Sequence, residues 1–357
     1  MSRSSVHPPD SMPFIRRTIR ALAGYQPGEQ PRERTFIKLN TNENPYPPSP
    51  KVLEAIRSCA TDDVRLYPDP MANALRDKAA SVYGLTREQV LAGNGSDDLL
   101  AIIIRACVEP GDRVAYPFAT YSLYDTLVTI GGGQIVHVPF RADFSLPPGL
   151  AEADGRVTFI CNPNSPSGTA ATIDEIADLS ARLQGLVVVD EAYVDFAASS
   201  ALPLLRERAN VVILRTFSKS FSLAGLRIGL AFGAPEVIAE LAKVKDSYNL
   251  TRVSIAAAVA ALDDYEWMRM HARRVCDTRE RLAAALRDLG FEVPPSQSNF
   301  VLARRPGEDL HGFFASLKER RILVRHFATP ELRDALRITV GTDGEIDALL
   351  AALRELL

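Results

Sequence analysis

Three short, largely apolar runs, each ending in polar residues, constrain the fold of this chain most strongly. They lie at 157–160, 186–189 and 211–214. Such runs, without regular polar alternation, are typical of strands that are buried on both faces of a parallel sheet. Ligands of open parallel sheets bind beyond the carboxyl ends of the strands, so the polar residues after these runs should converge on one crevice.

Other strand-like runs alternate with helical stretches along the chain. The strand-like runs include 89–92, 113–116 and 135–138, and the helical stretches include 97–108 and 173–183. This alternation predicts βαβ units and an α/β fold. We therefore expect a large domain in which helices sandwich a mostly parallel sheet.

A change of sequence character from about residue 270 predicts a second, smaller α+β domain. A long charged helix is expected at 273–289, followed by strand-like runs at 300–303 and 322–325. A length of 357 residues agrees with two domains. The predicted division is a flexible tail over 1–13, an N-terminal arm with part of the small domain over 14–50, the large cofactor-binding domain over 51–265 and the small C-terminal domain over 266–357.

Composition and charge exclude several classes of partner. With 46% hydrophobic residues, 24% charged residues and a net charge of −3, the chain is not expected to bind nucleic acid or anionic membranes. The longest nearly apolar run, 253–262, is too short to span a bilayer, and the N-terminus has no apolar signal-peptide core. Small-molecule partners and a cytoplasmic location are expected.

The cysteines and histidines give no sign of a disulfide framework or a metal site. The four cysteines are widely spaced and form no C-x-x-C motif, which favours reduced thiols in the cytoplasm. The five histidines have no spacing typical of metal ligands. We expect no metal.

Lys219 is the first candidate catalytic residue, because it lies among hydroxyl side chains in a turn after the run 211–214. A lysine amine can form a Schiff base with an aldehyde cofactor, and a site of low polarity lowers its pKa enough to make it a base and nucleophile. Most lysines are solvated surface residues. The polar residues expected around Lys219 favour the catalytic interpretation.

Three further residues at strand ends suit a pyridine cofactor. Asp190 can hold a pyridine nitrogen protonated, which makes the ring an electron sink. Asn162 and Tyr193 can donate hydrogen bonds to the ring phenolate and so adjust the pKa of the cofactor. Alone, Asp190 could be a helix cap and Tyr193 a core residue. Together with Lys219, the set indicates pyridoxal 5'-phosphate.

A glycine-rich turn is the candidate cradle for the phosphate of that cofactor. Gly95, Ser96 and Asp97 open a predicted helix, whose free N–H groups and dipole favour an anion. Ser218 could add a hydroxyl and Arg227 a cation with paired donors. A glycine loop of this kind is weak evidence by itself.

Six motifs in this order resemble the fold type I aminotransferases that depend on pyridoxal phosphate, and among them the histidinol-phosphate aminotransferase family. The resemblance extends over roughly residues 15–357. It implies a seven-stranded sheet in the large domain and a small domain built from both ends of the chain. The motifs lie at 39–46, 67–70, 93–97, 162–168, 190–193 and 215–227.

The resemblance also implies a homodimer with shared active sites and assigns roles to individual residues. Tyr121 matches an aromatic residue that stacks on the cofactor ring, and Tyr67 matches a tyrosine that reaches the cofactor phosphate of the neighbouring subunit. Four residues match substrate-binding positions, with the two arginines facing a phosphate or carboxylate of the substrate. They are Tyr25, Asn44, Arg325 and Arg337.

The activity implied by the resemblance is transamination between L-histidinol phosphate and 2-oxoglutarate, which gives imidazole-acetol phosphate and L-glutamate in histidine biosynthesis. An aromatic amino-acid aminotransferase and a phosphothreonine decarboxylase share most of the motifs and remain alternatives. A non-catalytic ligand-binding module is disfavoured, because Lys219, Asp190 and Arg227 are all present. A nucleotide binder is disfavoured, because no G-x-x-x-x-G-K-[ST] motif occurs.

Overall fold

The computed structural model describes residues 14–31 and 35–357. The predicted tail at 1–13 lies outside these residues. Within them, no helix combines the length and the apolar character needed to cross a membrane. The helices are α1 Arg17–Ala21, α2 Pro50–Ser58, α3 Asn73–Tyr83, α4 Ser96–Cys107, α5 Leu123–Gly131, α6 Ile173–Arg182, α7 Pro235–Lys243, α8 Arg252–Asp263, α9 Tyr265–Asp288, α10 His311–Glu319 and α11 Asp343–Leu356.

The strands form one large sheet and two small ones. In chain order they are β1 Ile37–Lys38, β2 Val90–Gly93, β3 Arg113–Phe118, β4 Gln134–Pro139, β5 Val157–Cys161, β6 Leu186–Asp190, β7 Val211–Thr216, β8 Gly229–Phe232, β9 Phe300–Arg304, β10 Ile322–Leu323, β11 Arg325–His326 and β12 Ala335–Thr339.

The large sheet has seven strands in the order β2-β8-β7-β6-β5-β3-β4. Only β8 runs antiparallel to its neighbours, β2 and β7. The chain places β3 and β4 on one side of β5 and places β6 and β7 on the other, so the strand order reverses beside β5. A reversal of this kind opens a crevice at the carboxyl ends of the strands. The predicted α/β fold with a mostly parallel, seven-stranded sheet is confirmed.

Burial on both faces explains why the central strands are apolar throughout. Val187, Val189 and Ile213 belong to the apolar core on one face of the sheet, and Val188 and Val212 belong to the core on the other. All five are fully buried. Each contributes about 1.5 to 3 kcal/mol by leaving water, so these strands form a rigid base for residues at their ends.

One of the two small sheets joins the beginning of the chain to its C-terminal part. Strand β1 pairs in parallel with β10, and the other small sheet has the antiparallel order β11-β12-β9. The single strand predicted at 322–325 is wrong, because β10 and β11 pair with different partners on either side of Val324. The helix predicted at 273–289 is the C-terminal part of the longer α9. The domain bounds 51–265 and 266–357 stay predictions.

Candidate active site

Lys219 lies in the turn after β7, where the surrounding chain fixes both its backbone and its amine. The amide of Asn44 donates to the main-chain oxygens of Lys219 at 3.1 Å and Ser220 at 3.0 Å. The Lys219 Nζ donates to the main-chain oxygen of Thr41 at 3.3 Å and lies 5.7 Å from the centre of the Tyr193 ring. Burial lowers the pKa of Lys219 to about 8, and the Arg337 charge acts in the same direction. A large share of the amine is therefore neutral at mildly alkaline pH.

Asp190 is the last residue of β6 and is almost completely buried, with only 3% of its surface exposed. Its carboxylate accepts hydrogen bonds from the Tyr124 hydroxyl at 2.9 Å and from the Ala192 N–H at 3.2 Å. Burial raises the pKa of Asp190 to about 6, although both hydrogen bonds oppose the rise. Within the described chain, both donors to this carboxylate, a hydroxyl and a main-chain N–H, are neutral, so the buried carboxylate lacks a cation.

Tyr193 lies three residues after Asp190 and is held from two sides. The Asn42 amide donates to its hydroxyl oxygen at 3.0 Å, and the Phe300 ring packs against it edge-on with centroids 5.1 Å apart. Burial raises the pKa of Tyr193 to about 12. The phenol therefore keeps its proton at neutral pH and can donate it to an acceptor in the crevice.

Asn162 follows β5, beside Asp190, but its side chain is engaged with the main chain. Its Nδ2 donates to the Ala171 carbonyl at 3.2 Å, and its Oδ1 accepts from the Ala171 N–H at 2.8 Å. These two bonds close the loop 162–171. A hydrogen bond from Asn162 to a cofactor ring stays a prediction.

The predicted phosphate cradle forms where α4 begins. Gly95 has a φ of 87°, which lies in the left-handed region that favours glycine. A Cβ there would also lie 2.6 Å from Arg227 Nη2, so a side chain would displace the guanidinium. Arg227 donates to Ser218 Oγ at 3.2 Å and to Asp97 at 3.1 Å. The guanidinium, the hydroxyl and the first N–H groups of α4, from Ser96 onward, are groups that can together bind an anion.

Tyr121 joins this cradle to the opposite side of the crevice. Its hydroxyl donates to Asp97 at 3.1 Å, and the Tyr25 ring meets it edge-on at a centroid distance of 5.9 Å. Burial holds the pKa of Tyr121 well above its usual value, so the ring stays neutral. The structure thus brings Tyr25 to the residue predicted to stack on the cofactor.

Arg325 and Arg337 lie opposite each other on the paired strands β11 and β12. Arg337 donates to Ser165 Oγ at 3.1 Å and to the Asn40 carbonyl at 3.0 Å, while its buried Nε has no partner among the described residues. Arg325 donates to the Gln26 carbonyl at 3.2 Å. Burial and the nearby Arg325 lower the pKa of Arg337. Two adjacent cations with neutral acceptors can bind an anion between them.

Tyr67 lies apart from the residues described above. It is 78% exposed and stacks on Tyr248, with ring centroids 4.4 Å apart. The nearby Val64 and Leu66 are exposed as well. A cluster of exposed apolar and aromatic side chains is typical of a protein interface.

Three residues at the site were not among the sequence predictions. Asn42 contacts Tyr193, Tyr124 contacts Asp190, and Ser165 contacts Arg337. Asn42 and Ser165 lie inside motifs that the sequence analysis had singled out, at 39–46 and 162–168. The motifs therefore pointed to both residues. Their hydrogen-bond partners could not be predicted, because these lie more than 150 residues away in the chain.

Comparison with known proteins identifies the family. The model of "Aminotransferase class I and II" matches residues 34–353. The chain belongs to this family of aminotransferases, as the fold and the lysine site indicate. Within the family it is similar to histidinol-phosphate aminotransferase 1 of Trichormus variabilis, with 45% identity over 346 residues, covering 96% of this chain and 99% of the relative. The histidinol-phosphate aminotransferase of Geotalea uraniireducens is 46% identical over 343 residues, covering 96% and 99%.

A solved structure agrees with this result. The crystal structure of histidinol-phosphate aminotransferase from Sinorhizobium meliloti, in complex with pyridoxal-5'-phosphate, has a TM-score of 0.86 and 28% identity to this chain. The match covers 95% of this chain and 97% of that one. The predicted resemblance, fold and enzyme class are confirmed.

Proposed function

We propose that this enzyme transfers an amino group between L-histidinol phosphate and 2-oxoglutarate, giving imidazole-acetol phosphate and L-glutamate in histidine biosynthesis, with pyridoxal 5'-phosphate as cofactor. The observation that carries the proposal is the pair formed by Asp190 and Lys219. A buried carboxylate that no described cation pairs with and a partly buried amine of lowered pKa lie at neighbouring strand ends. The choice of substrate is supported by relatives at 43–46% identity, which are named histidinol-phosphate aminotransferases.

The residues of the crevice fit the cofactor. A protonated pyridine nitrogen would supply the cation that Asp190 lacks, and the Tyr193 hydroxyl, with Asn162, would bind the ring oxygen. Tyr121 would stack on the ring. When bound, the cofactor supplies an electron sink for the carbon that loses its proton. The phosphate would lie among Gly95, Ser96, Asp97, Ser218, Arg227 and the partner subunit's Tyr67.

Lys219 moves the proton in this proposal. Its neutral amine is held by the Thr41 carbonyl at the edge of the crevice and would accept a proton from the substrate α-carbon, holding it as an ammonium ion until it is transferred back to carbon. The lowered pKa keeps both protonation states accessible near pH 8. Asp190 stays ionised beside the ring nitrogen, because the Tyr124 hydroxyl and the Ala192 N–H fix the carboxylate.

Both substrates carry a remote anion, and the arginine pair serves both. Histidinol phosphate presents a phosphate and 2-oxoglutarate a carboxylate, each of which suits the planar donors of Arg337 and Arg325. Tyr25 closes the substrate side of the crevice through its contact with Tyr121. Asn44 acts beside the substrate by holding the main chain of Lys219.

We also propose a cytoplasmic homodimer in which each site includes Tyr67 from the other subunit. The support is the exposed patch of Val64, Leu66, Tyr67 and Tyr248. In a two-fold dimer, the patch on each subunit would be covered by the same surface of its partner. No nucleic acid or membrane has a part in the proposal.

Half-reaction rates measured on the loaded enzyme test the substrate. Histidinol phosphate should change the cofactor absorbance fastest, followed at a distance by histidinol, phenylalanine and tyrosine, with Lys219→Ala as the inactive control. If phenylalanine reacts faster than histidinol phosphate, the enzyme is an aromatic amino-acid aminotransferase. If phosphothreonine reacts with release of carbon dioxide, it is a decarboxylase.

A further inference from the structure

Asn42 is a buried polar residue whose side chain has no part in the reaction described so far. It follows β1 and is 1% exposed, with a left-handed φ of 57°. Asparagine is one of the few residues other than glycine that adopt this conformation readily. The backbone there turns the side chain of Asn42 onto Tyr193.

A hydrogen-bond network fixes which end of the Asn42 amide faces Tyr193. The Asn42 N–H donates to Thr339 Oγ1 at 2.9 Å, so the hydroxyl proton of Thr339 is directed to Asn42 Oδ1 at 3.0 Å. The Asn299 amide donates to the Asn42 carbonyl at 3.0 Å. With Oδ1 occupied, Nδ2 is the atom that faces the Tyr193 oxygen, and it is a donor.

This contact determines where the Tyr193 proton points. A phenol has one proton, and an oxygen that accepts from Asn42 must direct that proton elsewhere. The Phe300 ring prevents the tyrosine from moving aside. No group within the described chain accepts a hydrogen bond from the Tyr193 hydroxyl, so this proton is available to an acceptor in the crevice.

We propose that Asn42 is a positioning residue that aims the Tyr193 hydroxyl at the ring oxygen of the cofactor. The inference rests on the proposed function, since it requires a pyridoxal ring in the crevice. A donor at the ring oxygen stabilises the more negative, deprotonated form of the chromophore. Loss of Asn42 should therefore raise the pKa read from the absorbance of the bound cofactor.

Two substitutions suit the left-handed backbone and change the amide differently. Asn42→Gly removes the side chain, and Asn42→Asp replaces the donor with a carboxylate that would draw the Tyr193 proton away from the ring. The other titratable groups near Tyr193 stay in place in both variants. These are Arg337, Cys161, Asp190, Lys219 and Tyr121.

The experiment is a pH titration of the cofactor absorbance in the holoenzyme, in the wild type and in a Tyr193→Phe background. Asn42→Gly should raise the spectroscopic pKa by about 0.5 to 1 unit, as expected for one weakened hydrogen bond, and Asn42→Asp should raise it further. In the Tyr193→Phe background, Asn42→Gly should shift it by less than about 0.2 unit, since the phenol is gone.

Three outcomes would overturn the inference. The first is no shift in Asn42→Gly, and the second is a shift of equal size in the Tyr193→Phe background, which would mean that Asn42 acts through the general structure. Both would leave the proposed function intact. The third, a wild-type protein that shows no pH-dependent cofactor band, would overturn the proposed function together with the inference.

Discussion

Asp190 and Arg337 stand on two different sheets of the molecule, yet they share one property. Asp190 ends a strand of the large sheet, and its carboxylate accepts from the neutral donors of Tyr124 and Ala192. Arg337 lies on the small sheet and donates to neutral acceptors on Ser165 and Asn40. Among the described residues, neither charge is paired with a side chain of opposite charge.

The difference between the two lies in the kind of partner each requires. In the proposed function, residues of the large sheet face a cofactor that stays in place, so Asp190 would keep one permanent cation. Residues of the small sheet would face two substrates in turn, so Arg337 would accept either a phosphate or a carboxylate. The proposal therefore assigns the chemistry to the large sheet and selection of the substrate to the small sheet.

The largest effect is expected from removal of the Lys219 amine, which tests the role proposed for the large sheet. Lys219→Ala should lower transamination by at least about 10⁴-fold, because attachment of the cofactor and proton transfer both depend on this amine. The rate is measured with histidinol phosphate and 2-oxoglutarate at saturating cofactor. Lys243→Ala, at an exposed lysine paired with Glu240, is the matched control and should keep full activity. Reduction with borohydride that labels another lysine would refute the assignment.

The second largest effect is expected for Asp190→Asn. This change keeps the shape but removes the charge, so turnover should fall by about 10² to 10³-fold, whereas the affinity for the cofactor falls much less. Steady-state kinetics and cofactor titration measure the two separately. Near-normal turnover would show that the charge of Asp190 is not needed to keep the ring nitrogen protonated.

The same variant gives a pH test on the cofactor-free protein. Because the pKa of Asp190 rises from 3.8 to about 6 on folding, the folded state binds more protons between these values, and stability falls as pH rises through them. Between pH 4 and pH 8 the wild type should lose about 2 kcal/mol of unfolding free energy that Asp190→Asn does not lose. Denaturant unfolding at several pH values checks this; parallel curves for the two proteins would contradict it.

On the small sheet, Arg337→Lys keeps the charge but loses the planar pair of donors. We expect kcat/KM to fall about tenfold to a few hundredfold for both substrates, which corresponds to about 1 to 3 kcal/mol. Histidinol, without the phosphate, should react poorly with the wild type and lose little more in the variant. Arg325→Lys, at the paired position, should have a smaller effect, because the hydrogen bond of Arg325 to Gln26 is exposed whereas those of Arg337 are partly buried. Equal use of histidinol and its phosphate by the wild type would remove Arg337 from substrate selection.

The sequence predicted the large-sheet side of the site better than the small-sheet side, and the cause is physical. The apolar run at 157–160 lies within β5, because burial on both faces leaves a purely local pattern. The break between β10 and β11 depends on which distant strand each one pairs with. Contacts such as that of Asn44 with the Lys219 carbonyl join residues 175 positions apart and depend on tertiary structure. The role proposed for Tyr67 involves a second subunit, so no pattern within one chain could settle it.

The smallest effect tests whether Tyr67 belongs to its own site or to that of the partner. Tyr67→Phe keeps the stacking on Tyr248 but removes one hydroxyl, so cofactor affinity should fall only about fivefold, in line with about 1 kcal/mol for a hydrogen bond. A hybrid of one Lys219→Ala subunit and one Tyr67→Phe subunit then distinguishes the two arrangements, since only one of its sites keeps Lys219. If Tyr67 acts across the dimer, that site receives an intact tyrosine from the Lys219→Ala subunit and binds the cofactor as tightly as the wild type does. If Tyr67 acts within its own chain, the same site shows the fivefold weaker affinity, and the shared site is refuted.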